Sequence, residues 1–278
     1  MKYFITYGDS KFQAAKDRIC KQAMDTGEFD IVYSFGRENL SEALLQSDII
    51  KIQRGGGLWS WKPDIIWKVI NQAQIGDYIV YCDSGCSLYS SIEWNWYWRV
   101  LKDKDIIAQR LLQRVDYWTR RELIDFFCNN GKNWEKCYQY EATVILLVVS
   151  DFTKGLIKEW RDLMISKPEL AMDVKEDEVV TQHKGFIENR HDQAVFSSLI
   201  YKSLNHVDNK DCVFSCWEKI EDFRLFPKQA IRATRLRFGE EETFSSKLIS
   251  IIKRGIKHFL YVPLYYAPKQ WWYSRQWR

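Results

Sequence analysis

The sequence predicts an α/β protein. Three observations carry that expectation: strand-length runs rich in β-branched and aromatic residues at 2–7, 29–35, 78–82 and 142–149, helical spacing in the stretches between them, and Gly-Asp or Ser-Gly turns at the changeovers. Strand, helix and strand in succession favour parallel pairing through a right-handed crossover, and such sheets present ligands at the carboxyl ends of their strands.

Taken in order, Lys2 to Tyr7 alternates as a first strand and stops at Gly8-Asp9-Ser10. Phe12, Ala15, Ile19, Ala23 and Met24 fall at helical spacing, closing at Gly27, and Phe29 to Phe35 is a second strand. Glu38 to Ile50 reads as a helix, Gly55-Gly56-Gly57 breaks the chain, and Pro63 suits the first turn of a helix through Ile65, Ile66, Val69 and Ile70. Tyr78 to Cys82 is a buried strand that releases Asp83 into a Ser-Gly turn.

Glu93 to Lys102 is dense in tryptophan, Asp105 to Leu112 fits strand or helix, and Val115 to Phe127 has helical spacing. Ala142 to Val149 is the strongest strand, and Phe152 to Ile165 is an amphipathic helix. Asn189-Arg190-His191-Asp192-Gln193 opens a helix over Ala194 to Leu204. Past Val207 the rhythm fades. The expected organisation is a 1–206 α/β domain followed by a mostly helical, basic and aromatic C-terminal extension, 207–278.

Composition narrows the function classes. The chain has 278 residues, 46% hydrophobic and 28% charged, as an ordinary globule does. No apolar run approaches the ~18 residues that span a bilayer, and the N-terminus meets a turn before it could form a signal-peptide core, so a cytoplasmic location is expected. Seven scattered cysteines, with C-x3-C pairs only at Cys82/Cys86 and Cys212/Cys216, suit reduced thiols better than structural zinc. The net charge of +4 hides an asymmetry, since twelve Lys or Arg and three Glu between Arg224 and Arg278 make that segment +9 and the rest −5. Its basic and aromatic residues beside an apolar face suit the surface of an anionic membrane; packing on its own domain is the alternative. No G-x-G-x-x-G, P-loop or G-x-S-x-G pattern occurs, and no RNP-like or helix-turn-helix pattern accompanies the basic tail, so no nucleic-acid partner is expected.

Three constellations carry candidate chemistry. Asp83, followed by the small Ser84 and Gly85, can reach a ribose hydroxyl or a metal-bound diphosphate; an Asx turn is the bland alternative. In the Arg54–Pro63 run the amides of glycines such as Gly56 can approach phosphate, Arg54 and Lys62 can offset its charge, and Trp59 and Trp61 can stack on a sugar or base, unless the tryptophans are simply core. In the third, Asp192 can act as base or metal ligand and His191 as phosphate donor or metal ligand, while an Asn189/Asp192 capping box leaves His191 and Gln193 unexplained. Glu141, at the head of the strongest strand, can orient an acceptor hydroxyl or simply face water.

In order, G-G-x-W-x-W-K-P at 56–63, G-D-x-x-x-Y-x-D-x-G at 76–85 and R-H-D-Q at 190–193 resemble small bacterial glycosyltransferases of capsule and O-antigen clusters, of galactosyl- and galactofuranosyltransferase type. The resemblance covers about residues 1 to 205. It implies a GT-A-like, Rossmann-type nucleotide-sugar domain, a UDP-sugar donor, a lipid-linked glycan acceptor and a place on the inner face of the cell membrane. Carried over, Tyr7, Arg54, Gly56, Trp59, Trp61, Lys62, Asp83, Ser84, Gly85, His191 and Gln193 would bind donor, and Asp192 and Glu141 would be catalytic. Asp83 matches the first carboxylate of a D-x-D motif that holds ribose and Mn2+ or Mg2+. Gly85 stands where the second would be, leaving Asp83 and His191 as the metal candidates.

Overall fold

A computed structural model describes residues 1–127, 134–204, 213–215 and 229–236. The chain begins with β1 (Lys2–Tyr7), α1 (Gln13–Thr26) and β2 (Ile31–Phe35), then α2 (Glu42–Gln46), the short turn α3 (Gly55–Leu58) and α4 (Trp61–Ile70). After β3 (Tyr78–Cys82), β4 (Ser87–Leu88) and α5 (Glu93–Val100) come β5 (Ile106–Arg114), α6 (Val115–Trp118) and α7 (Arg121–Phe127). The rest comprises β6 (Tyr138–Val148), α8 (Asp151–Ser166), α9 (His191–Leu204), β7 (Val213–Ser215) and β8 (Ile231–Arg232).

Six strands form one sheet in the order β2-β1-β3-β6-β5-β7, and β4 pairs with β8 in a second. β2, β1 and β3 run parallel, β6 runs antiparallel to both its neighbours, and β5 and β7 are parallel to each other. The expected α/β class is therefore present as a mixed sheet. Reversing β6 brings its first residues to the same end of the sheet as the last residue of β3, with Cys82 opposite Val144.

Alternation along the strands splits the core in two. Tyr3, Ile5, Tyr7, Ile79 and Tyr81 pack on one face with Ile65 and Ile66 of α4, Ile157 and Trp160 of α8 and Phe196 of α9. Phe4, Val80 and Cys82 pack on the other with Ile19 and Ala23 of α1 and Trp94, Tyr97 and Trp98 of α5. The tryptophan-dense stretch is thus core helix, with Trp94 fully buried.

Several expectations change. The continuous helix over 38–50 is broken, because Ser41 takes an extended backbone and its hydroxyl accepts from Leu44 N–H, capping a five-residue α2. Asp64 of α4 fastens that cap, accepting from Ser41 N–H at 2.8 Å and from Arg161 Nε at 2.7 Å. The stretch from Asp105 to Leu112 proves to be strand from Ile106 onward, within β5. Two pieces of the stretch assigned to the extension join the body: β7 continues the main sheet beyond β5, and β8 pairs with β4. Ala230 N–H donates at 2.6 Å to Glu93, a fully buried carboxylate of α5, which draws the segment against the domain. Cys20, Cys82 and Cys86 are buried and Cys137 is half-buried. Among the described residues no helix is long and apolar enough to cross a membrane. The tail from 245 onward and Cys128, Cys212 and Cys216 lie outside the described residues.

Candidate functional site

Three elements meet beyond the carboxyl end of β3. Asp83 follows the strand, Lys62 sits in the first turn of α4, and Asp192 sits in the first turn of α9. Lys62 Nζ lies 2.8 Å from Asp192 Oδ2 and 3.5 Å from Asp83 Oδ1, with Lys62 and Asp192 buried and the Asp83 side chain 30% exposed. Asp83 is thus the member of the trio that meets solvent. Its Oδ1 also accepts from the Tyr81 hydroxyl, so an Asx turn does not explain this carboxylate.

The electrostatics follow from one ammonium serving two carboxylates. Burial works to lower the Lys62 pKa, but Asp192 and then Asp83 outweigh it and hold the ammonium above its ordinary value. Burial pushes the Asp192 carboxyl up against the pull of Lys62, and Asp83 pushes the same way. The Tyr81 hydroxyl is raised well above the usual phenol, by burial first and by Asp83 second, so it remains a donor.

The glycine run does not form the phosphate cradle its composition suggests. Gly55, Gly56, Gly57, Leu58 and Trp59 all have left-handed backbones, φ 60, 60, 96, 52 and 59°. Within this turn the amide of Gly56 donates to Gln53 O, Gly57 to Ile52 O, Leu58 to Arg54 O and Trp59 to Gly55 O. Those donors are engaged. Their geometry instead aims two indoles: Trp61, 7% exposed, stacks on Tyr7 at 4.2 Å and donates from Nε1 to Gly55 O, while the half-buried Trp59 stacks on His191 at 5.4 Å. Tyr7 and Trp61 therefore occupy each other, and Trp59 keeps the partly open ring.

Other residues are placed as follows. Arg54 pairs with Asp173 at 2.7 Å on the surface, and His191 Nε2 lies 3.6 Å from the same carboxylate oxygen. His191 Nδ1 is 2.8 Å from Ala171 O, an oxygen that only accepts, so Nδ1 carries the proton. Asn189 does not cap α9, because its carbonyl accepts from Arg120 N–H and its amide donates to Leu170 O and Met172 O. Gln193 donates to Gln139 Oε1 at 2.6 Å, tying α9 to β6. Glu141 is buried near the start of β6, at the Asp83 end of the sheet. Ser84 is buried, and its carbonyl accepts from Arg18 at 3.0 Å.

Tyr81, Arg18 and Asp173 were missed from the sequence. The Tyr81-x-Asp83 spacing could have found Tyr81, since residues two apart on a strand share a face. Nothing in the sequence joins Arg18 or Asp173 to Asp83 or His191.

These side chains do not fit a divalent ion. Such an ion takes several oxygen ligands, yet Asp83 is turned to Lys62 and Tyr81, Gly85 brings no carboxylate, and a Cβ there would face the Arg235 backbone at 3.5 Å. Among the described residues no three His, Cys, Asp or Glu are grouped to hold a metal.

Neither a protein-family model nor a curated protein sequence matches the chain. Among solved structures, mouse xyloside xylosyltransferase 1 matches over 78% of this chain and 85% of its own, at 12% identity and TM-score 0.40. The galactosyltransferase LgtC, solved with donor and acceptor sugar analogues, matches over 72% of this chain and 70% of its own, at 17% identity and TM-score 0.35. The glycosyltransferase GlyE of Streptococcus pneumoniae matches over 80% of this chain and 46% of its own, at 14% identity and TM-score 0.37.

Proposed function

We propose that this chain is a GT-A-like glycosyltransferase that moves a hexose, galactose or galactofuranose, from a UDP-sugar to a lipid-linked oligosaccharide in surface-polysaccharide synthesis. The observation that carries the reading is the buried Lys62 bridging Asp83 and Asp192 at the carboxyl end of β3. Holding one acidic group at a strand end in fixed geometry is what recognition of a ribose or sugar hydroxyl requires, and a buried ammonium with two carboxylates is costly unless position matters. The ordered G-G-x-W-x-W-K-P, Y-x-D and R-H-D-Q motifs agree, because Lys62, Tyr81, Asp83 and Asp192 of those motifs meet at one point.

In this reading Asp83 binds donor hydroxyls and Trp59 offers its ring to sugar or base. The acceptor oxygen bonds to the anomeric carbon as the bond from that carbon to the diphosphate breaks. The electron pair leaves with the nucleotide, and the hydroxyl proton passes to water or to Glu141. Asp192, 4% exposed behind Lys62, is better suited to holding the ammonium in place than to meeting the acceptor, which changes the base role expected of it. The basic tail is proposed to rest on the anionic inner surface of the cell membrane.

A thermal-shift panel of UDP-, GDP-, CMP- and dTDP-sugars, each with EDTA or Mn2+, tests the donor class. A UDP-sugar should raise the melting temperature, and silence across the panel would remove the proposal. Asp83→Ala should lower sugar transfer by about a hundredfold or more while leaving the melt within a few degrees; unchanged turnover would displace the site.

A further inference from the structure

The turn that follows Asp83 is covered by residues 234–236. Thr234 Oγ1 and Leu236 N–H both donate to Gly85 O at 3.1 Å, and Thr234 Oγ1 lies 2.7 Å from Ser87 Oγ. A Cβ on Gly85 would stand 3.5 Å from Arg235 Cα. Where a D-x-D motif would carry its second carboxylate, this chain therefore apposes the backbone of an arginine. Arg235 is exposed and has φ 58°, an uncommon state for a residue with a side chain.

Charge makes that placement informative. Lys62 is shared by Asp83 and Asp192, so the trio carries one negative charge in excess and opposes a diphosphate. Arg18 reaches the same turn, but its guanidinium is occupied by Ser84 O, Cys86 O, Ser87 Oγ and Leu236 O at 2.8 to 3.3 Å. Arg54 faces Asp173. Among the described residues the Arg235 guanidinium has no acceptor.

We infer that Arg235 binds the diphosphate of the nucleotide donor, providing beside Asp83 the positive charge that a divalent ion supplies in a two-carboxylate site. This rests on the donor reading above. A planar guanidinium matches two phosphate oxygens at once and keeps its charge at every working pH. The same contact strengthens as the diphosphate gains charge on leaving. Segment 229–236 then completes the donor site, and the glycine at 85 and the cation at 235 are one arrangement.

The test is calorimetric binding of UDP and of uridine to the full chain in EDTA, repeated at raised salt and with Mn2+. Wild-type protein should bind UDP in EDTA, more tightly than uridine and less tightly as salt rises. Arg235→Gly suits the left-handed backbone, so the melt should hold while UDP weakens about tenfold or more and uridine is unchanged. Arg235→Lys should recover part of the loss. Equal UDP affinity in Arg235→Gly, or wild-type binding that appears only with Mn2+, would overturn the inference and leave the donor reading standing. Absence of binding by UDP, GDP, CDP and dTDP, with and without Mn2+, would remove both.

Discussion

At the scale of single residues the decisive one is Lys62, a buried ammonium on which two acidic groups depend. Lys62→Met should cost about 3 to 5 kcal/mol, because Asp192 would stay buried without its partner. Lys62→Met with Asp192→Leu should regain much of that, having no orphaned charge. Chemical denaturation of wild type, single and double variants measures this, and a single variant within about 1 kcal/mol of wild type would contradict the buried pairing. The pair also sets a pH limit. Lys62 is held above its ordinary value, so its contribution is full below about pH 10.5 and is lost as pH rises through the folded value. Tyr7, raised by burial to about 12, acts in the same window, since the unfolded phenol ionises first, near pH 10. Burial also raises the Cys20 thiol, so stability should be level from neutral to about pH 8.5 and fall above it, with the Lys62 and Tyr7 losses added past about pH 10, as a denaturation midpoint followed against pH would show.

At the scale of elements, the left-handed turn at 55–59 is the least ordinary piece of backbone. It delivers Trp59 to His191 and Trp61 to Tyr7. Gly57 is confined there, with φ 96° and an added Cβ only 2.9 Å from Ile50 Cα and 3.1 Å from Ile49 O. Gly76 has a similar φ of 91° but open space around it. Gly76→Ala should then cost about 1 to 2 kcal/mol from backbone strain alone. Gly57→Ala should cost distinctly more, because backbone atoms must also move. Comparable melting points for the two variants would mean that the turn yields easily.

At the scale of the whole molecule, the sheets extend into sequence that looks like an appendage. β7 adds to β5, β8 pairs with β4, and Glu93 and Arg18 both reach into 229–236. A chain ended after Gly239 should keep the fold and UDP binding. A chain ended after His206 should lose UDP binding and several degrees of melting temperature, since it bares the β5 edge and removes residues 229–236. Equal UDP affinity in the two truncations would separate the donor site from this segment.

Periodicity determined much of the fold. Strands β1, β2, β3 and β6, helices α1, α4 and α8, and the strand-end position of Asp83 are all written in local apolar spacing, because burying one face requires it. The motif residues Lys62, Asp83, His191 and Asp192 were legible as candidates, since charge beside turn residues stands out against a hydrophobic chain. Only the tertiary structure decided how they combine. It turned β6 antiparallel, placed Lys62 between carboxylates that lie 109 residues apart in sequence, and engaged the glycine amides in their own turn. It also set Arg235 against Gly85. Local patterns report which face of an element is buried, whereas ion pairs and cover segments depend on which distant elements that burial brings together.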